Sequence, residues 1–367
     1  MRVGITGAEG LIGTHVHAYF HGVEDVEVVP ADIPEFATAE LRRAFVSDCD
    51  AVVHLAGQNR GDDDELYRTN VTLAEQLIEA CEAEDVQPHV IFSSSTHIYR
   101  ETAYGRSKRE CSRLLAGWAD RSGARFTNLV LPNVFGEGGR PFYNSAVSTF
   151  CHQLAVGEEP TIIQDATIEF VHAQQVAAKV HAVLSEGTTG DLVMTGVKKT
   201  VSEVLGKLQH IATLYGEFVV PDLRERFDAS LFNTYRSYLF PSACPMTPAL
   251  HSDARGHLFE AVRTLNGGQA FFSTTRPDIT RGNHYHLRKF ERFCVIRGQA
   301  VIRLRKLFSD EVHAFDVSGE RPQFIDMPTL YTHDITNTGK DDLITAFWSS
   351  EFFDKADPDT FREDVLQ

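Results

Sequence analysis

Two sets of residues in this sequence have the types and spacing that catalysis needs. The first is Tyr104-Gly-Arg-Ser-Lys108. Side chains four apart share a helix face, so the phenol and the ammonium sit side by side. A protonated lysine there lowers the phenol pKa, and the tyrosine can then exchange a proton with a carbonyl or alcohol near neutral pH. Upstream, Ser93-Ser94-Ser95 offers hydroxyls where an apolar strand ends. Taken alone, Tyr-x-x-x-Lys is frequent on ordinary helices. The second set is RGNHYHLRKFE, with His284, His286 and Glu291, followed by His333. In a strand, residues two apart face one side, so the two histidines of HYH point together. Glu291, after a turn, can join them from the neighbouring strand. Two histidines, a carboxylate and a third histidine suit zinc, nickel, iron or manganese. The same histidines could also act as bare acid/base groups, and the spacing leaves that choice open.

A phosphate cradle accompanies the first set. In ITGAEGLIG, Gly7 permits a tight strand-to-helix turn, Gly10 allows a pyrophosphate to approach the backbone, and Gly13 allows close helix packing. Leu11 and Ile12 begin the helix, whose N–H groups and positive dipole end would hold the phosphates. His54-Leu55-Ala56-Gly57 ends a later strand beside it. Asp32 follows the second strand, where a carboxylate bonds adenosine ribose hydroxyls and favours NADH. Equally, it can be a solvated turn residue before Pro34. No arginine follows at once to welcome a 2′-phosphate; Arg42 and Arg43 are the nearest.

The elements that position these residues differ between the two halves. Strands at Arg2–Thr6, Val26–Val29, Ala51–Leu55, His89–Ser94 and Phe126–Leu131 alternate with helices at Leu11–Phe20, Leu41–Phe45, Tyr67–Cys81 and Arg106–Ala119. Such alternation predicts an α/β fold with a doubly wound parallel sheet. From about Asp253 the pattern becomes all-β, with short strands at Phe271–Ser273, Phe293–Ile296, Ala300–Lys306 and Leu343–Trp348. Pro241, Pro245 and Pro248 crowd into Leu239–His251, which sets the expected domains at 1–245 and 252–367. An apolar content of 43% over 367 residues supports a core in each. The net charge of −16 argues against nucleic acid or an anionic membrane as the main partner. Six cysteines without a CxxC pair suit reduced thiols, and no apolar run is long enough to span a bilayer. A cytoplasmic protein is expected.

TGAEGLIG, HLAG, the SSS strand end and YGRSK together resemble the extended short-chain dehydrogenase/reductase family, up to about residue 240. The resemblance implies a Rossmann-type domain that binds NAD(P)H. It implies Tyr104 as proton donor, Lys108 as its activator and ribose ligand, and Ser95 as carbonyl orienter. Ser94 is the alternative, because the stretch from Ser95 to Tyr104 is unusually short. Asn133, Arg140 and His172 would contact substrate, as in extended members acting on nucleotide sugars. RGNHYH with Glu291, and Pro328 through His333 to Asn337, resemble the two motifs of the cupin family, with Leu330 where glycine is usual. Asp253–Glu260 and RGNHYH also resemble nucleotide-sugar 3,5-epimerases and ketoisomerases of that superfamily, which remove a proton next to a keto group. The fusion resembles the bifunctional enzymes of capsular polysaccharide synthesis. That implies a UDP-linked 2-acetamido-2,6-dideoxy-4-hexulose, epimerised at C3 in the cupin barrel and reduced at C4 in the reductase domain. It implies NADPH, with NADH as the alternative, zinc or another divalent transition metal, and a homodimer. Two other readings are a reductase whose cupin serves only dimerisation, and a non-catalytic Rossmann sensor fused to a cupin.

Overall fold

The structure, a computed structural model, describes residues 1–367. Packing divides the chain into two compact units, Met1–Thr149 with Ile162–Val201, and Phe150–Thr161 with Ser202–Gln367.

The first unit is the expected α/β fold. Its elements run β1 (Arg2–Thr6), α1 (Leu11–His21), β2 (Glu27–Ala31), α2 (Ala39–Ser47), β3 (Ala51–His54), α3 (Asp63–Glu84), β4 (His89–Ser95), α4 (Ala103–Ser122) and β5 (Phe126–Leu131). There follow β6 (Asn133–Phe135), α5 (Ala146–Ala155), which from Phe150 belongs to the second unit, β7 (Thr167–His172), α6 (Ala173–Glu186), β8 (Gly190–Val193) and β9 (Val197–Thr200). The parallel sheet has the order β2-β1-β3-β4-β5-β8. Strands β3 and β5 are buried at every position, and β4 at all but its last, because helices cover both faces. One layer of core joins the sheet to α1 and α6, and the other joins it to α2, α3 and α4. The strand order reverses beside β1, so the glycine turn after β1 opens at a topological switch point. Helices begin earlier than their apolar periodicity suggests. Thr38, Asp62 and Thr102 cap α2, α3 and α4 by accepting backbone N–H bonds, which brings Tyr104 into the first turn of α4.

The second unit is mainly β. It adds α7 (Val201–Gly216), β10 (Val219–Val220), α8 (Arg226–Leu239), β11 (His251–Asp253), β12 (Gly256–Leu258) and β13 (Arg263–Thr264). Two antiparallel sheets follow. One is β14-β21-β16-β19, from β14 (Gln269–Thr275), β16 (Glu291–Arg297), β19 (Phe324–Met327) and β21 (Leu343–Ser349). The other is β18-β17-β20-β15-β22, from β15 (Thr280–Tyr285), β17 (Gln299–Lys306), β18 (Val312–Ser318), β20 (Tyr331–Asn337) and β22 (Phe361–Arg362). Phe293, Val295, Ile302, Leu304, Ile325, Met327 and Ile335 fill the space between them.

The proline-rich stretch marks a turn rather than the packing seam. Helices α7 and α8 belong to the β-rich unit, although the sequence divides at 245 and 252. Their polar groups and rings explain why. Asn233 Nδ2 donates to the Arg288 carbonyl at 2.8 Å, and an Arg236 nitrogen donates to the Met327 carbonyl at 2.7 Å. Phe232 meets Phe290 edge-on with ring centres 5.5 Å apart. Tyr215 Oη donates at 2.7 Å to Asp326, which also holds Arg292 through bonds of 2.7 and 2.9 Å. Arg292 and Asp326 are almost wholly buried, so neither charge has solvent to fall back on. Asp326→Ala should therefore destabilise this unit by about 3–5 kcal/mol, since it strands a buried guanidinium. Chemical denaturation followed by Trp348 fluorescence measures this; an unchanged midpoint would mean that the pair holds nothing together.

Candidate active site and metal centre

In the first unit a cavity of about 810 Å³ opens at the carboxyl ends of the strands. Gly7, Gly10, Leu11, Ile12 and Gly13 line one side, and Leu55 and Gly57 line the next. The first turn of α1 has no side-chain cap, which leaves its amides for a ligand's phosphates. Ala56 does not line the cavity; its N–H bonds the Thr6 hydroxyl at 3.2 Å. Asp32 does not line it either. Its carboxylate accepts the Glu9 N–H at 3.2–3.3 Å, which ties the end of β2 to the glycine turn. Burial raises the Asp32 pKa, and the Glu9 bond opposes that.

Ser95, Ser94 and Tyr104 meet at the cavity wall. A single 3₁₀ turn, Thr96–Tyr99, spans the short stretch between Ser95 and Arg100. It fits because residue 105 is glycine: a Cβ there would lie 2.3 Å from the His97 carbonyl and 2.5 Å from that of Arg100. The two serines differ. Ser95 Oγ accepts the His97 N–H and bonds Tyr104, whereas the Ser94 hydroxyl is buried without a hydrogen-bond partner. Tyr104 is pushed up to about 12 by burial, with the Ser95 bond opposing. The expected depression by lysine is not what dominates. Lys108 Nζ donates to the Ser93 carbonyl at 2.8 Å, lies over the Phe92 ring, and stays 5.7 Å from the Tyr104 ring centre. Burial pushes Lys108 down to about 8. A phenol that keeps its proton at neutral pH is fitted to give that proton to an oxyanion.

Asn133 and Arg140 line the far side of the cavity, with Arg140 over the Tyr143 ring. His172 does not reach it. It is buried, caps α6, and puts Nε2 2.9 Å from the Glu137 carboxylate. The expectation of substrate contact fails because β7 ends inside the core rather than at the cavity. Glu137 is the residue sequence reasoning missed. Burial would raise it, but His172 and His15 outweigh that and hold it at about 2. His15 Nε2 also reaches the Glu137 carbonyl at 3.0 Å, so α1, α6 and the loop carrying Arg140 converge on one carboxylate. Asn70 was missed as well. It bonds Gln58 through N–H and carbonyl and donates to Ser107 at 3.0 Å, which locks α3 onto α4 beside Tyr104. The only hint was its place in a helix otherwise read by apolar spacing.

In the second unit His284, His286, Glu291 and His333 converge, with their candidate ligand atoms all within 4.8 Å of one another. Three come from one sheet: His284 pairs directly with His333 across β15 and β20, and His286 follows β15. Glu291 opens β16 in the other sheet, rather than the neighbouring strand. A bulge between Gly282 and His284 re-aims the first histidine. Gly282 has φ 104° and sits where a Cβ would lie 2.6 Å from the His333 carbonyl. Leu330, where the cupin motif has glycine, is buried at φ 66°.

The electrostatics suit a cation. Burial and the neighbouring histidines lower His284 to about 4 and His333 well below its usual value, so both are neutral ligands at pH 7. Burial raises Glu291, but His286, His333 and Lys289 overcome it and keep the carboxylate ionised. The Nε2 atoms of His286 and His333 are buried and make no hydrogen bond. Two neutral imidazoles, a third with a buried Nε2, and an ionised carboxylate fit a divalent transition metal.

Residues 3–195 match the NAD dependent epimerase/dehydratase family, and residues 251–361 match the polysaccharide biosynthesis C-terminal domain. The chain is 31% identical over 368 aligned residues, covering 98% of each chain, to a UDP-2-acetamido-2,6-beta-L-arabino-hexul-4-ose reductase of Pseudomonas aeruginosa. The chain belongs to the NAD dependent epimerase/dehydratase family. Among solved structures it is similar to the capsular polysaccharide assembling protein CapF of Staphylococcus aureus, with a TM-score of 0.65, 30% identity and full coverage of both chains. It also resembles RMD of Pseudomonas aeruginosa complexed with NADPH, with a TM-score of 0.51 and 21% identity over 58% of this chain and 84% of that one. That last likeness shows the fold of the first unit. The glycine turn that lines the cavity lies within the residues matched to this family, and no helix of the chain is long and apolar enough to cross a membrane.

A pH dependence follows from Lys108. Its ammonium is charged below about 8 and loses its proton above. NAD(P)H-dependent turnover should therefore fall as pH rises through about 8, seen as a limb in kcat/KM. A profile flat from pH 6 to about 10 would show that the lysine charge does not matter.

Proposed function

We propose that the chain is a bifunctional nucleotide-sugar enzyme of surface polysaccharide synthesis. Its substrate is a UDP-linked 2-acetamido-2,6-dideoxy-4-hexulose. The C-terminal unit, a cupin, inverts C3, and the N-terminal unit then reduces the C4 ketone with NADPH. One observation supports two steps rather than one: the chain holds a second buried polar cluster, His284, His286, Glu291 and His333, outside the NAD(P) cavity. A likeness to a hexulose reductase over nearly the whole chain supports the reductive step.

The C3 proton of a 4-keto sugar is acidic because its loss gives an enolate. His284, His286, Glu291 and His333 would hold a divalent metal, which would supply positive charge to lower the cost of that enolate. The chain's own part is to keep His284 and His333 neutral and the Glu291 carboxylate ionised in a buried place. Return of a proton to the opposite face inverts C3. In the N-terminal unit the glycine turn would hold NADPH, which would supply the hydride for C4. Tyr104 gives its proton to O4, Ser95 orients the carbonyl, and Lys108, which does not line the cavity and so does not reach the ribose, supplies local positive charge from behind. Arg140 and Asn133 face the nucleotide sugar. The active form is a homodimer.

Tyr104→Phe should abolish reduction while leaving C3 exchange in deuterated water intact. Loss of the general acid is worth roughly two to four orders of magnitude, so the split is easily read by mass spectrometry of the sugar. His286→Ala should do the reverse, stopping C3 exchange but not reduction of a sugar already epimerised. Loss of both reactions in a folded Tyr104→Phe protein would defeat the two-site reading. Persistence of C3 exchange in His286→Ala would leave the cupin with only a structural role.

Cofactor choice has its own test. The biosynthetic direction favours NADPH, while Asp32 at the end of β2 would repel a 2′-phosphate. The Glu9 N–H bond to Asp32 partly neutralises that objection by engaging the carboxylate. kcat/KM should favour NADPH; a preference for NADH of about tenfold or more would show that Asp32 governs the ribose pocket.

A further inference from the structure

The segment after β21 returns across the histidine cluster as a strap. Its last strand, β22, pairs with β15, setting Phe361 opposite Tyr285 and Arg362 opposite His284. Just before it, Asp359 is buried at φ 43°. Both polar ends of this residue are used. Its carboxylate accepts three successive backbone N–H groups, from Leu287 at 3.1 Å, Arg288 at 3.0 Å and Lys289 at 2.7 Å. Its carbonyl oxygen lies 2.5 Å from Nδ1 of His286.

A carbonyl can only accept, so Nδ1 of His286 carries the hydrogen. In the neutral ring the Nε2 lone pair then faces inward, 3.2 Å from the Glu291 carboxylate. A lone pair against a carboxylate is repulsive unless a positive centre lies between them. The arrangement therefore presents Nε2 as a ligand atom, with the tautomer fixed from behind. Three N–H bonds to one carboxylate also fix the turn after HYH, which sets the ring's direction and begins the path to Glu291.

We infer that Asp359 is a positioning residue of the histidine–glutamate centre: its carbonyl selects the Nδ1–H tautomer of His286 and its carboxylate anchors the turn that aims the ring. The inference rests on the reading of that centre as a metal site. Backbone partners of ligand histidines typically tune metal affinity by one to two orders of magnitude. Asp359→Ala removes all three acceptor bonds and lets the strap carbonyl drift. Asp359→Asn keeps one acceptor oxygen and tolerates the left-handed backbone.

The test uses the full chain, stripped of metal, with cobalt(II) as probe. Binding is followed by the d–d spectrum, and the His286 tautomer by nitrogen–proton correlation spectra of histidine-labelled protein. Wild type should show His286 as Nδ1–H. Asp359→Ala should bind cobalt about 10–100-fold more weakly and show an Nε2–H population, with Asp359→Asn between the two. Circular dichroism and NAD(P)H-dependent turnover report whether each variant is folded. If Asp359→Ala does not fold, Asp359→Asn carries the comparison. Unchanged affinity and tautomer in a folded variant would overturn the inference. If wild type binds no cobalt, the metal reading fails, and the tautomer spectra alone decide the role of Asp359.

Discussion

Keeping a carboxylate ionised inside a protein is costly unless positive or polar neighbours meet it, and the C-terminal unit is arranged around that requirement at Glu291. The residue is largely buried at the start of β16, facing three imidazoles on the other sheet. Lys289 stands 3.3 Å away and is itself held by Pro358 and Thr360 of the strap. The bulge at Gly282, the left-handed Asn283 and Leu330, and the Asp359 turn all serve the same end. Non-glycine residues at positive φ are uncommon, and three of them flank this one cluster. The surrounding sheets determine those conformations through paired strands on either side of each.

The N-terminal unit also buries a charge, but holds it by another route. Lys108 is buried without an acidic partner and relies on the Ser93 carbonyl and two aromatic faces. A lysine so placed gives up its proton more easily, which makes it sensitive to pH in the physiological range. Glu137, by contrast, is matched by two histidines and does not face the cavity. It joins α1, which carries the glycine turn, to the loop that bears Arg140, so two sides of the cavity share one anchor.

Much of this was legible in the sequence because the signals were local. The glycine turn after β1, the Tyr104–Lys108 pair and the His284–His286 pair each lie within one element or one turn. Tyr104, Ser95, the glycines and the four ligand candidates accordingly meet as their spacing implied. What failed depended on contacts far apart in the chain. His172 looked like a substrate residue, but only the fold reveals Glu137 waiting for it 35 residues away. Asp359 is 73 residues from His286 and has no motif of its own. Glu291 joined the right cluster from the unexpected sheet, since a turn length does not say which sheet a strand enters. The domain boundary was read from prolines, which report local backbone, whereas packing depends on the apolar faces of α7 and α8.

Those two helices bear on how such a protein can be inherited. The compact units are not consecutive: the chain passes from one to the other after Thr149, after Thr161 and after Val201. A recombination that cut at the proline-rich turn would carry β11 to β22 away without Phe232, Asn233 and Arg236, uncovering Phe290 and leaving the Arg288 and Met327 carbonyls without their donors. The N-terminal half, in turn, would keep two helices whose apolar faces had lost their cover. Shuffling by single crossovers therefore yields damaged halves on both sides of the cut. Once fused in this manner, the two modules descend together, and new combinations have to arise by substitution within each cavity rather than by exchange of whole domains.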